Sequence, residues 1–338
     1  MIHAWEAVAE PTHPFLSCHC SVIIELDNGD LLVGYYAGEG EARPNAAWVL
    51  ARKTPGANGF GPLQVVADTE GKPEGNGILV QNAAQEVILI YGTMHGKLDG
   101  KPGPGVRWVT CDLRMKTSSD RGRTWSDVSM IDPEWGHVPR CKPIRLQNGE
   151  LIFGTEYSDG SSRILSSENE GKNWRVIGKI GGEPNQHPAL IERKDGSVLG
   201  LLRPAGRQGF ILKSVSSDRG KSWTPAEKTG MRSPFAAIDA VKLQDGRLAL
   251  VWNDCQEARN PLTLALSEDQ GESWVCRRNL ITGEGQFHYP AIIQSPDGKL
   301  HVSFTNNRKT IDHVALDVDW IEGSGDDLRP WDEEGKRE

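Results

Sequence analysis

Four copies of one turn sequence set the scale on which this chain repeats. Ser118, Asp120, Gly122 and Trp125 define the frame S-x-D-x-G-x-x-W. Ser167, Asn169, Gly171 and Trp174 repeat it, as do Ser216, Asp218, Gly220 and Trp223, and Ser267, Asp269, Gly271 and Trp274, at steps of 49, 49 and 51 residues. In such a turn the Asp and Ser side chains fold back onto backbone N–H groups, Gly takes a positive φ, and Trp lays its indole on the adjacent sheet. A period of about 50 residues in a chain of short apolar runs predicts a repeat array, each unit a small sheet that buries its faces against its neighbours.

A second repeat frames the first. An apolar run, an Asx-Gly turn and another apolar run recur at Asn28-Gly29, Asn148-Gly149, Asp195-Gly196, Asp245-Gly246 and Asp297-Gly298, with Ala84-Gln85-Glu86 in the equivalent place of the second unit. These are hairpin signals. Each unit therefore reads strand, hairpin, strand, loop, strand, box, strand. The expected fold is all-β: a six-bladed β-propeller of four-stranded antiparallel blades, one domain over residues 1–322. The sixth unit has no box and offers only one more alternating strand, Ile311–Trp320, so the N-terminal Ile2–Val8 is expected to supply the last strand and close the ring, removing open sheet edges. Residues 323–338 read as a charged, loosely held tail, and the Gly/Pro-rich loop 92–108 as a lid or a surface insertion.

The formal net charge is −8, and no basic stripe offers itself to phosphates, so a nucleic-acid partner is not expected. Neither a basic start with an apolar run behind it nor 18 consecutive apolar residues occur, which argues against a membrane partner and for a cytoplasmic chain as it stands, or a secreted one if a leader has been removed. The six cysteines are scattered too widely for a disulfide framework. In Cys18-His19-Cys20, strand alternation sends neighbours to opposite faces, so neither a metal nor a cofactor is expected.

Strand polarity sorts the ends. If the Asx-Gly turns and the boxes share one end of the ring, the other end collects the starts of the innermost strands and the loops after the second strands. The first group comprises His19, Asn76, Lys142, His187, Asp239 and Tyr289; the second adds Asn45, Glu156, Arg203, Asp254, Arg259 and Arg308. A polar, basic mouth on an acidic protein suits a carboxylated ligand. His19, His187, Tyr289 and Asp239 are the candidate catalytic groups. Arg203, Arg259, Lys142, Asn76, Asn45, Arg308 and Trp135 are the candidate substrate contacts, Trp135 as a stacking wall.

The four boxes resemble the Asp-box, or BNR, repeat of the sialidase superfamily. The runs SCHCSVIIELDNGDLLVGYYAG, IDAVKLQDGRL and FHYPAIIQSPDGKLHVSFTNNR look most like its sialidase-like branch. That resemblance implies that Arg203 and Arg259 match the second and third arginines of a carboxylate-binding triad, and that Tyr289 matches the nucleophilic tyrosine. The chain departs from the pattern at three points. His19-Cys20-Ser21 replaces the R-I-P opening that carries the first arginine; Asn45 or Pro44 stands at the acid/base aspartate; and Gln186-His187 falls where the glutamate partner of the tyrosine is expected. The implied activity is a sialidase-like glycoside hydrolase releasing a terminal acidic sugar. Two alternatives stay open: a uronate lyase working by β-elimination through His and Tyr, and a non-catalytic glycan-binding propeller walled by Trp108 and Trp135.

Overall fold

The structure, a computed structural model, describes residues 1–96, 108–206 and 209–323. The central part of loop 92–108 and the tail from residue 324 lie outside the described residues.

Six antiparallel sheets follow one another along the chain. Blade one consists of Ser17–Glu25, Leu31–Gly38, Ala47–Lys53 and Gln64–Ala67, and the later blades repeat that order from axis to rim. Blade six closes as expected: Ile2–Ala9 pairs antiparallel with Thr310–Leu316, from Ile2 opposite Leu316 to Ala9 opposite Ile311. The Thr310 strand is shorter than the sequence suggests. Asp317 takes the Met1 ammonium and a ring nitrogen of His3, its carbonyl accepts the Trp320 N–H, and Asp319–Glu322 turns helical. No helix of the described residues is long and apolar enough to cross a membrane.

The seam of the ring is polar. Glu6 on the N-terminal strand accepts from Lys53 of blade one at 2.5 Å and lies 3.1 Å from His313 Nδ1, while His313 Nε2 meets His301 Nδ1 at 2.9 Å with the two rings stacked. Between blades the packing is apolar. Trp48 of blade one, fully buried, lies against Gly77 of blade two, where an added Cβ would sit 2.3 Å from the indole nitrogen.

The boxes hold neighbouring blades together. In blade four, Gly220 N–H donates to Ser216 Oγ, Ser222 N–H and Oγ–H donate to the two carboxylate oxygens of Asp218, and Trp223 Nε1 donates to Gly220 O. These bonds, the Ser222 side chain foremost, hold the Asp218 carboxyl down at about 2. The residue before each box glycine is also left-handed: Arg121, Glu170, Arg219 and Gln270 have φ of 60–63°. Two successive positive φ values match a type I′ turn, whose twist suits a hairpin. Each box rests on the preceding blade, so a Cβ on Gly171 would meet Ile88 of blade two at 2.4 Å. Arg121 pairs with Asp27 and Glu170 takes the Ala83 N–H, which confirms that boxes and hairpin turns occupy one end. Asp218→Ala should lower stability by about 1–2 kcal/mol, the size of a lost side-chain cap, without changing activity at the far end; thermal denaturation alongside a turnover assay checks both.

Candidate active site

At the opposite end, four innermost strands carry a two-residue irregularity at their start, between His19 and Val22, Glu74 and Gly77, Gln186 and Ala189, and His288 and Ala291. A bulge of this kind re-aims side chains. Cys20, His187 and Tyr289 sit in it with φ of 64°, 48° and 47°, a backbone region that costs a non-glycine residue about 1 kcal/mol or more. In this register the partner of His187 and Tyr289 in blade one is Cys20, and His19 corresponds to Gln186 and His288. The sequence alone places His19 one position too far along, because the strand of blade one begins one residue further ahead of its bulge than those of blades four and six do.

Tyr289 is the centre of the cluster. Arg203 Nη1 donates to its hydroxyl at 2.7 Å, and the guanidinium carbons of Arg140, Arg203 and Arg259 lie 5.4, 5.6 and 5.5 Å from its ring centroid. The His19 ring packs edge-on at 4.4 Å and that of His187 at 5.7 Å. Phe235, 45% exposed, covers the outer face of Arg203, with the guanidinium 3.7 Å from its centroid, and its carbonyl accepts from Arg259 Nη2. Among the described residues none of these three arginines reaches a carboxylate. Burial first, and then the like charges of Arg203 and Arg308, hold the Arg259 guanidinium below its ordinary value, against the opposing pull of the Tyr289 phenol.

The imidazoles around the tyrosine are neutral. Burial pushes His187 down to about 4 and outweighs the pull of Glu156, whose Oε2 lies 2.8 Å from Nε2. His187 therefore donates its Nε2–H to Glu156 as a neutral ring, and its Nδ1 lone pair faces Arg203 Nη1 at 3.3 Å. His288 is held at about 3 by burial and then by Arg259 and Arg308; its Nδ1 accepts from Arg259 Nη1 at 2.5 Å. For His19, also depressed by burial, Thr305 Oγ1 accepts the Cys20 N–H and so turns its own proton toward His19 Nδ1, 3.2 Å away. Each ring nitrogen lone pair is thus already engaged.

Arg140 is the residue that sequence reasoning misses. The innermost strand of blade three is broken into Val138–Pro139 and Ile144–Arg145, and the break carries Arg140-Cys141-Lys142-Pro143 to the axis. Pro143 has no N–H to give to the ladder, and the run R-C-K-P is the only trace of this in the sequence. Arg140 is fully buried, donates from Nη2 to Pro290 O at 2.6 Å, and leaves Nε and Nη1 without partners. A buried, half-satisfied charge is a poor source of stability. Arg140→Met should therefore hold or raise Tm while lowering activity at least tenfold; a Tm loss of several degrees in a thermal-shift assay would mark Arg140 as a structural strut instead.

The remaining candidates fall into place around this centre. Lys142 donates to Asp239 Oδ2 at 2.8 Å and to Ala240 O, and the same Asp239 oxygen accepts Ile292 N–H, so these two groups form a buried tie between blades three, five and six. Arg308 pairs with Glu41 Oε2 at 2.5 Å, and Trp108 Nε1 donates to Glu41 Oε1. Asn45 Oδ1 accepts the Glu39 N–H within its own loop, and Asn76 is buried with Oδ1 unpartnered. Trp135, 42% exposed, stacks on His95, which binds Asp112. Cys18 and Cys20, which simple alternation would put on one face, enter different core clusters because the bulge at Cys20 turns the strand between them.

Comparison with known proteins bears on this arrangement. The model of a BNR repeat-like domain matches residues 29–302. The sialidase of Micromonospora viridifaciens is 25% identical over 311 residues, covering 80% of this chain and 47% of its own, so the chain spans about half the length of that relative. Among solved structures, a Hadza microbial sialidase superposes with a TM-score of 0.80 at 18% identity, covering 94% of this chain and 69% of its own. A Dyadobacter fermentans protein of unknown function superposes with a TM-score of 0.79 at 16% identity, covering 94% and 98%. At these identities the two structures share the fold.

Proposed function

Because the chain belongs to the BNR repeat-like domain family, we propose that it is a sialidase-like glycoside hydrolase that releases a terminal carboxylated sugar, with Tyr289 as nucleophile. The observation that carries this reading is three arginines around one phenol with no carboxylate of the described residues to neutralise them. Arg203 and Arg259 suit a substrate carboxylate, which a guanidinium binds through paired N–H donors. Arg203 also donates to the Tyr289 hydroxyl, a contact that stabilises the phenolate; as the phenol oxygen bonds to the anomeric carbon its proton leaves on the departing glycosidic oxygen, and water then cleaves the tyrosyl adduct and returns a proton to the phenol.

Glycosidases commonly work with two carboxyl groups, and tyrosine-nucleophile enzymes are an exception. Here Glu156 is engaged by His187, Asp239 by Lys142, and Asp254 lies between Arg232 and Arg277. The nucleophile's part therefore falls to the phenol. Elimination would need an imidazole with a free lone pair to take the α-proton. His19, His187 and His288 have theirs engaged, which favours hydrolysis over that alternative.

The test is a panel of terminally acidic glycosides and oligouronides. Release of the free acidic sugar, with a glycosyl adduct trapped on Tyr289 by a fluorinated substrate and located by mass spectrometry, is the expected result. Absorbance of an unsaturated uronate would replace hydrolysis by elimination, and saturable binding with no product would leave a lectin.

A further inference from the structure

A second feature at this end shares two side chains with the cluster and lies outside it. A cavity of ≈ 480 Å³ is lined by Gly285, Gln286, His288, Asn307 and Arg308, within the roughly 300–1,000 Å³ of small-molecule sites. Its walls are the loop leading into the innermost strand of blade six and the turn before that blade's third strand. The two are tied together: Asn307 Oδ1 accepts Gln286 N–H and Asn307 N–H donates to Gln286 O, both at 2.9 Å. The wall needs its glycine, since Gly285 has φ 131° and a Cβ there would lie 3.1 Å from the Asn307 amide. Asn307 and Arg308 are both left-handed, at 53° and 57°, and Arg308 meets Glu41.

The lining has a definite chemistry. Among the described residues it consists of amide, imidazole, guanidinium and backbone groups, with no aliphatic, phenyl or indole side chain. An aryl or lipid group finds more polar than apolar surface there, whereas a hydroxyl-rich ring finds donors and acceptors. The Arg308 guanidinium is neutralised by Glu41, so a neutral sugar fits better than a second acid. His288 connects it to the reacting groups, with its Nδ1 on Arg259 and its ring 5.2 Å from that of His19. Arg203 and Arg259 approach Tyr289 from blades four and five, whereas the cavity is lined by blade six and the loop leading into it, with Arg308 reaching Glu41 of blade one.

We propose that this cavity is the subsite for the neutral sugar unit on the leaving-group side, so that the preferred substrates are di- and oligosaccharides and not aryl or lipid glycosides of the acidic sugar. This rests on the reading of Tyr289 as the nucleophile. Contacts made away from the bond that breaks raise kcat as well as lowering KM.

The experiment compares kcat/KM for an aryl glycoside and for a disaccharide of the same acidic sugar, in the parent protein and in Gln286→Trp, which fills the cavity from an exposed position. The disaccharide is expected to lose at least twentyfold and the aryl glycoside no more than twofold. Asn307→Gly, which keeps the left-handed backbone but removes the wall, should reproduce the loss if Gln286→Trp folds poorly. Equal losses on both substrates would place the acidic sugar itself in the cavity, and no loss on either would leave it empty in the reaction; each overturns the proposal while the hydrolase stands. A parent protein that turns over neither substrate removes the hydrolase reading, and the subsite with it.

Discussion

Tyr289→Phe should fold as the parent does and lose about 10³–10⁴ in kcat, equivalent to roughly 4–5.5 kcal/mol of transition-state stabilisation. The change removes one oxygen. The ring stays, with its contacts to His19 and His187 at 4.4 and 5.7 Å and the three guanidinium groups around it, so packing in the bulge is unaltered. What disappears is the acceptor for Arg203 Nη1, a hydrogen bond from a charged group worth about 1.5–3 kcal/mol of stability, part of which is kept because the same Nη1 still faces His187 Nδ1 at 3.3 Å. Stability and turnover therefore separate, and that separation is the diagnostic. KM should change little, because Arg203 and Arg259 still hold the substrate carboxylate, whereas Arg203→Met should raise KM more than tenfold. Paired measurements of kcat, KM and Tm decide it. A Tyr289→Phe protein within threefold of the parent in kcat would remove the phenol from the chemistry and return the nucleophile's part to a carboxylate such as Glu156, which His187 links to the cluster.

The ring and its closing strand could be read from the sequence because they depend on local chemistry repeated in phase. A box needs Ser, Asp, Gly and Trp within eight residues, and a hairpin needs Asx-Gly, so both survive as strings. Arg203, His187 and Tyr289 were legible for a related reason: each sits at a strand end whose polarity follows from the hairpins, and the structure brings them within hydrogen-bond or ring contact. The register of His19 and Cys20 was not legible. A bulge adds one residue to one strand without any turn residue to announce it, and only the paired ladder shows the shift. Arg140 escaped for a stronger reason. It reaches the axis through a broken strand, and nothing local distinguishes it from a surface arginine. Partner choice was equally hidden: Asp239 and Lys142 both look like site residues by position, yet they are 97 residues apart in sequence and neutralise each other.

Acid should weaken this fold well before its carboxylates protonate. His19, His137, His187, His288, His301 and His313 are all held below the ordinary imidazole value, with burial the largest cause in each, and His187 and His301 fall to about 4. The sign follows from linkage. A folded-state value below the unfolded one, about 6.5, means that the unfolded chain binds protons which the folded chain refuses, and stability then rises with pH. Their contribution is complete above about pH 6.5 and is lost as pH falls toward 4, at up to ~1.4 kcal/mol per pH unit for each imidazole. Glu25, Glu74 and Asp254 are raised by burial and act in the opposite sense, but their ordinary values lie near 4, so they offset the loss only at its lower end. The seam is the exposed part of this dependence. His301 and His313 stack on the strands that close the ring, His313 against the Glu6–Lys53 pair and Asp297 and Lys299 beside His301, and two charged rings at 2.9 Å repel. Tm followed from pH 7.5 to 4.5 should drop steeply from about pH 6.5 downward, and His301→Gln should flatten the curve, since it removes one titrating ring and the repulsion in a single step. A Tm constant from pH 7 to 5 would mean that these rings reach water or a counter-charge when they protonate, and that the closure is not held by neutral imidazoles.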